Sequence, residues 1–210
     1  MVCFMSENNI LGVILAGGQS KRMGKEKSIL KLNDKTLIEH SLIKINQFLD
    51  NVIIISNKKI NFISKYKVEI IEDCLEGNQG PLVGVLSAME WVKKNNKKFS
   101  WLATFPCDTP FFPKDLISKF IKNSISKKKN LYFASSKGQR HNIFGLWSLS
   151  LYDKLKNDII NNNIRKVQYW AERNDMENIE FNFKKFDPFF NINTKEDLEY
   201  AKKIYKNIND

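Results

Sequence analysis

The chain carries only three cysteines, Cys3, Cys74 and Cys107, in neither a CxxC pair nor a His/Cys metal spacing. An odd, scattered set excludes a disulfide framework and fits a reducing compartment. No apolar run approaches the roughly 18 residues a membrane span requires. The opening residues, MVCFMSENN, lack a basic stretch followed by a long apolar core, so no secretory signal is expected. These absences predict a cytoplasmic protein with no membrane partner. There is no internal repeat, and SKKKN at 126–130 is a charged connector rather than a domain linker. The phosphate-binding pattern GxxxxGK[ST] and the dinucleotide pattern GxGxxG are both missing.

What is present is a chain of 210 residues, long enough to bury a substantial core without covalent staples. Its formal net charge is +11, which favours anionic partners. The lysines are spread along the chain, as a lysine-rich codon bias would leave them, and form no basic stripe with interleaved aromatics. A nucleic-acid partner is therefore not expected, although a basic nucleic-acid-binding domain is the reading such a charge keeps open.

Short apolar runs alternate with helical patterns. Strands are expected at Ile10–Leu15, Asn51–Ser56, Lys67–Ile71, Phe99–Phe105, Asn130–Ser135 and Asn142–Ser148, with short late strands in NIEFNF and FFNI. Between them, Thr36 and Glu39 have capping-box spacing before an apolar face that runs to Leu49. Pro81 suits a first helical position, Pro113 stands near another helix start, and Thr194 reads as the N-cap of the last helix. Two helices are expected from about 150 to 161 and from 164 to 172. The alternation implies βαβ units. The expected fold is α/β, a single Rossmann-like domain over 10–207 with a mostly parallel central sheet and helices on both faces. Residues 1–9 would form a flexible tail.

In such sheets ligands bind outside the carboxyl ends of the strands. Four stretches there carry polar chemistry. ILAGGQSKRMGKEK (14–27) leaves the first strand with Gly17 and Gly18, whose backbone N–H groups can form an anion nest, surrounded by Lys21, Arg22, Lys25 and Lys27. A solvated Gly-rich surface loop is the plainer alternative. FPCDTPFFP sets Asp108 between Pro106 and Pro110, which stiffen the turn around a carboxylate suited to Mg²⁺ or, more plainly, to capping a local turn. Cys107 beside it has no activating histidine in the motif. IIEDCLEGNQGPLVG offers Asp73, and then Gly80 and Gly84 at the start of a helix whose N-terminus carries partial positive charge. NINTKEDL ends the series. His40 falls within a helix and reads as structural.

Taken together, Leu15-Ala16-Gly17-Gly18, Ser20, Arg22-Met23-Gly24 and Lys27 resemble the signature of the nucleotidyltransferases that build activated nucleotides, of the nucleotide-diphospho-sugar transferase type. PCDTPF and GPLVG narrow the resemblance to the molybdenum cofactor guanylyltransferases; the cytidylyl-transferring relatives have Leu-Ala-Ala-Gly where this chain has Leu15-Ala16-Gly17-Gly18, and a Gly-Met-Ser-Ser-Ser-type run where it has GPLVG. The resemblance extends from Ile10 to about Ala201. It implies transfer of GMP from GTP to the phosphate of molybdopterin, with release of pyrophosphate and Mg²⁺ as cofactor. Arg22, Lys27 and Asp108 would be catalytic, Asp108 holding the metal. Leu15, Ala16, Gly17, Gly18, Lys27, Asn57, Asp73, Gly80, Pro81 and Asp108 would bind the nucleotide. Either Lys25 or Lys27 would serve the triphosphate, and the register at Asn57 could shift by two residues. Arg140, His141, Arg165, Lys166, Asn191 and Asn193 would serve the pterin substrate, Asn193 alternatively completing the metal site or holding the Asp108 loop. Cofactor-insertion proteins and molybdoenzymes are the implied protein partners. Cytidylyl transfer to the same pterin, or nucleotidyl transfer to a sugar phosphate, is the alternative.

Overall fold

A computed structural model describes residues 9–17, 30–77 and 79–209, with only the backbone described at Phe62 and Asn209. Gly18, Ser20, Lys21, Arg22, Met23, Gly24, Lys25 and Lys27 lie outside the described residues, as do Cys3 and nearly all of the expected tail.

The first strand, β1 (Ile10–Leu15), is apolar along its whole length because both its faces are covered. Leu11, Val13 and Leu15 point into one core cluster, and Ile10 and Ile14 into the other. A small antiparallel hairpin follows, β2 (Lys31–Leu32) and β3 (Lys35–Thr36), turning at Asn33 with φ +55°. It leads into α1 (Leu37–Ile45), where the expected capping box is present. The Glu39 N–H donates to the Thr36 hydroxyl, and the Glu39 carboxylate accepts the Thr36 N–H at 2.8 Å. The helix stops at Ile45, yet Leu49 still packs into the same core, so the apolar face outlasts the helix. α1 approaches β1 closely because position 12 is glycine: a Cβ there would stand 3.3 Å from both Ile45 and Leu49.

Then come β4 (Val52–Ile55), a 3₁₀ turn at Asn61–Lys65, β5 (Glu69–Ile71) and α2 (Pro81–Lys94). β6 (Trp101–Pro106), α3 (Leu116–Lys127), β7 (Leu131–Ser136) and β8 (Gln139–Ser148) follow. The chain closes with α4 (Tyr152–Ile160), α5 (Val167–Glu172), β9 (Glu177–Glu180) and α6 (Lys195–Asn209). NIEFNF thus contributes a strand only in its first part. FFNI forms no strand: its backbone turns at Phe190 and ties Ile192 to the loop after β6.

The seven-stranded sheet has the order β5-β4-β1-β6-β8-β7-β9. Six strands run in one direction, and β8 alone is antiparallel to its neighbours β6 and β7. β7 and β8 are joined through Lys137 and Gly138, both at positive φ (+49° and +75°), the backbone of a tight primed hairpin turn. α2, α4 and α5 cover one face and α1 and α3 the other, giving two cores. A third, smaller cluster packs α6 on the β2–β3 hairpin. Each fully buried aliphatic side chain in these cores contributes about 1.5–3 kcal/mol. Among the described residues no helix is long and apolar enough to cross a membrane.

Candidate active site

The chain runs outward from β1 to β4 and β5, and α2 then carries it back to β6 on the other side of β1. Such a reversal opens a crevice at the carboxyl ends of the strands. The order β5-β4-β1-β6 sets Asp73, Asn57, Ala16–Gly17 and Asp108 along one edge in that sequence. With neighbouring strands about 4.8 Å apart, that edge spans about 15 Å, the length of an extended nucleotide.

On one side of β1, Asn57 and Asp73 are joined twice. The Asn57 amide donates to Asp73 Oδ2 at 2.9 Å, and the Asp73 N–H donates to Asn57 Oδ1 at 2.8 Å. Burial pushes the Asp73 carboxyl above its ordinary range, against the opposing effect of Asn57 and Ser87. Ser87, on α2, accepts the Cys74 N–H and donates to the Val83 carbonyl, so it ties the Asp73 loop to the helix. α2 begins at Gly80, whose φ of +91° and ψ of 177° only glycine adopts readily. Pro81 at the first helical position removes an N–H that would have had no partner. A Cβ on Gly84 would stand 3.0 Å from Leu15, so glycine there lets α2 lie against the end of β1.

On the other side, Leu15 pairs in register with Pro106, and this brings Ala16 and Gly17 beside the start of the Asp108 turn. Asp108 is half-buried; its carbonyl accepts the Ile192 N–H at 3.0 Å. The fully buried Thr109 hydroxyl donates to Asn191 Oδ1 and lies 3.3 Å from Asp108 Oδ1. One carboxylate with amide and hydroxyl oxygens beside it is a hard-oxygen set of the kind Mg²⁺ accepts. Among the described residues no group of three or more His, Cys, Asp or Glu gathers. Cys107 is buried.

The six residues expected on the pterin side do not form one group. Asn191 joins the Asp108 turn. The Asn193 N–H donates to Asp197 at the start of α6, where Thr194 accepts the Asp197 N–H as expected of an N-cap. β8 starts at Gln139, earlier than the sequence pattern indicates, so Arg140 and His141 are strand neighbours on opposite faces. Arg140 meets Glu172 of α5 at 3.0 Å and donates to Asn142. His141 stacks on Phe189 at 4.3 Å and bonds Ser136; burial lowers its pKa against the pull of Asp187 and Glu180. The Arg165 guanidinium donates to the carbonyls of Ile159 and Ile164, while its own carbonyl lies near Gly80. Lys166 is exposed. His40 bonds the Leu32 carbonyl and meets Tyr205 edge-on, a structural role.

Thr109 and Ser87 are the residues that sequence reasoning passed over. Thr109 sits inside PCDTPF, and a hydroxyl next to a turn carboxylate was its only signal. Ser87 is one serine on an otherwise apolar helix face.

A family model described as a MobA-like NTP transferase domain matches residues 12–174. The chain belongs to this family. Among members and relatives of the MobA-like family, a molybdenum cofactor guanylyltransferase of Rhizobium meliloti is 34% identical, covering 90% of this chain and 88% of its own. The protein of the same name from Mesorhizobium japonicum is 31% identical over 95% of this chain and 98% of its own. A crystal structure of molybdopterin-guanine dinucleotide biosynthesis protein A from Archaeoglobus fulgidus superposes with a TM-score of 0.76 at 25% identity, covering 94% of this chain and 99% of that one. A 4-diphosphocytidyl-2C-methyl-D-erythritol synthase from Anaerococcus prevotii, 13% identical with a TM-score of 0.71 over 95% and 97% of the two chains, shares the fold.

Proposed function

We propose that this MobA-like chain transfers the guanylyl group of GTP to the terminal phosphate of molybdopterin. The observation that carries the reading is the Leu15–Pro106 register, which sets the Asp108 turn beside Ala16 and Gly17 at the end of β1, with the Asn57–Asp73 pair on the far side of β1. The base and ribose lie toward Asn57, Asp73 and Gly80–Pro81. The triphosphate crosses Leu15–Gly17; Gly18 would serve it with its backbone N–H, and the charges of Arg22 and Lys27 would offset those of the phosphates.

An oxygen of the acceptor phosphate attacks the α-phosphorus of GTP. The bond from that phosphorus to the α,β-bridging oxygen breaks, and pyrophosphate leaves with its electron pair. A phosphoanhydride joins GMP to the acceptor. The attacking phosphate is already ionised at neutral pH, so the reaction needs no general base and no covalent enzyme intermediate. The protein contributes position and fixed charge. Asp108 is the carboxylate that would hold Mg²⁺, with Asn191 and Thr109 supporting it; when bound, the metal neutralises charge on the transferring phosphate.

The test is pyrophosphate release with molybdopterin and each of the four ribonucleoside triphosphates. Turnover confined to GTP is expected, and turnover confined to CTP would overturn the reading. Asp108→Ala is expected to abolish release while melting as the parent does.

A further inference from the structure

The nucleotide occupies the β5, β4 and β1 side of the crevice in this reading, so the acceptor approaches over β6, β8 and β7, and it brings a phosphate anion. Arg140 and Arg165 have their guanidinium groups engaged by Glu172 and by backbone carbonyls. Other cations stand at this rim. The segment after β9 crosses the carboxyl edge and is pinned along its length. The Phe181 N–H donates to the Ser135 carbonyl, Phe189 stacks on His141, and the Ile192 N–H bonds Asp108.

Two further aromatic anchors place the lysines between those points. Phe183 lies under the Lys137 ammonium, with Nζ 4.8 Å from the ring centre, which fixes that end to the β7–β8 turn. Phe186 packs edge-on against Phe111 at 5.8 Å, three residues beyond Asp108. Lys184 and Lys185 therefore span the rim between the β7–β8 turn and the Asp108 loop. All three lysines are exposed, and none forms an ion pair among the described residues. The carboxylates nearest in the chain are engaged: Glu180 accepts the Ser135 hydroxyl, and Asp187 accepts the Phe189 N–H.

We propose that Lys137, Lys184 and Lys185 form a cationic rim that receives the phosphate of the acceptor, an inference that rests on the guanylyl-transfer reading. Exposed charges of this kind are individually weak and screened by salt, but three along one rim draw an anion toward it and so affect its capture. In this reading GTP lies on the β5, β4 and β1 side, away from the β7–β8 turn that carries Lys137.

The experiment is steady-state kinetics of the full chain with GTP and molybdopterin, comparing the parent with Lys137→Gln/Lys184→Gln/Lys185→Gln. The expected result is a rise of about tenfold in KM for the acceptor, with kcat and KM for GTP within about twofold of the parent. The acceptor kcat/KM should also lose its fall with ionic strength. The triple Lys→Arg variant keeps the parent KM, and matching melting curves show that both variants fold. An unchanged acceptor KM overturns the rim while leaving guanylyl transfer standing. A rise in KM for GTP instead also overturns it, because the lysines would then serve the triphosphate. A parent enzyme that turns over another nucleotide but not GTP removes the guanylyl reading itself, whatever the variants do.

Discussion

Asn57 and Asp73, sixteen residues apart, close a two-hydrogen-bond ring between the ends of β4 and β5, each side chain reaching the other residue. The ring fixes Asp73 at the rim of the crevice while burial raises the cost of its charge. Asn57→Ala removes both bonds and leaves the Asp73 N–H without this acceptor. The expected effect is a rise of about tenfold in KM for GTP with a smaller change in kcat, because a positioning contact is lost. The Asp73 pKa should move further up, since the bond from Asn57 favours the ionised form. A titration followed by NMR, together with the kinetics, checks both; a KM equal to the parent's would remove Asp73 from the nucleotide side.

Gly80 starts α2 at φ +91° and ψ 177°. The nearest atom to an added Cβ is the Arg165 carbonyl oxygen at 3.7 Å, an ordinary contact, so a substitution there is opposed by backbone strain and not by crowding. Gly80→Ala should cost about 1–3 kcal/mol. Denaturant melts measure that loss, and binding of GTP should weaken alongside it as the start of α2 shifts. Pro81→Ala, which changes no required dihedral, is the control for the stability loss and should melt close to the parent.

The parts of this fold readable from the chain are those whose signal is local. The Thr36–Glu39 capping box, Pro81 at the first helical turn and the uninterrupted apolar run of β1 each state their structure within a few residues. Partner choice is not local. The pairing of Leu15 with Pro106 and the reversal of β8 depend on which strands meet across the sheet. Arg140 and His141 looked like one basic group because they are adjacent in sequence, and a strand sends adjacent side chains to opposite faces. FFNI has strand-like composition, but Phe189 and Phe190 spend it on His141 and Tyr200 across an irregular segment. At the candidate site, the positions of Asp108 and Asp73 after their strands were legible from their motifs, whereas the Thr109 and Ser87 hydroxyls gain their partners through contacts that only the fold creates.

Glu39 makes a pH prediction. It is nearly inaccessible, and burial alone would raise its pKa. Donation from Lys65 and from the Thr36 N–H and hydroxyl outweighs that and holds the carboxyl at about 2. A folded pKa below the unfolded value means the stabilisation is present above about pH 4.5 and is lost as pH falls toward 2. Lys65 is exposed, so solvent screens part of its pull, and a contribution of about 2 kcal/mol at neutral pH is expected. Glu39→Gln should lower stability by about that amount at pH 7, by less than half of it near pH 3 and by little as pH approaches the folded pKa. Urea melts across that range check it; a gap that does not narrow in acid would mean the carboxylate is not held by these donors.

Thr109 separates the aim of Asp108 from the stability of its loop. Its hydroxyl joins Asn191 on one segment to Asp108 on another while the side chain is wholly buried. Valine fills nearly the same volume and removes the donor. Thr109→Val should cost about 1 kcal/mol of stability, the worth of one ordinary hydrogen bond, since Asn191 is exposed and can turn to water. If the hydroxyl serves to aim the carboxylate, kcat should fall more than about tenfold, out of proportion to that cost, because small misplacements at a reacting centre are expensive. Thr109→Ser, which keeps the hydroxyl, should restore most of the rate. A valine variant with parent kcat would show that Pro106, Pro110 and the Ile192 N–H hold Asp108 without help from the hydroxyl.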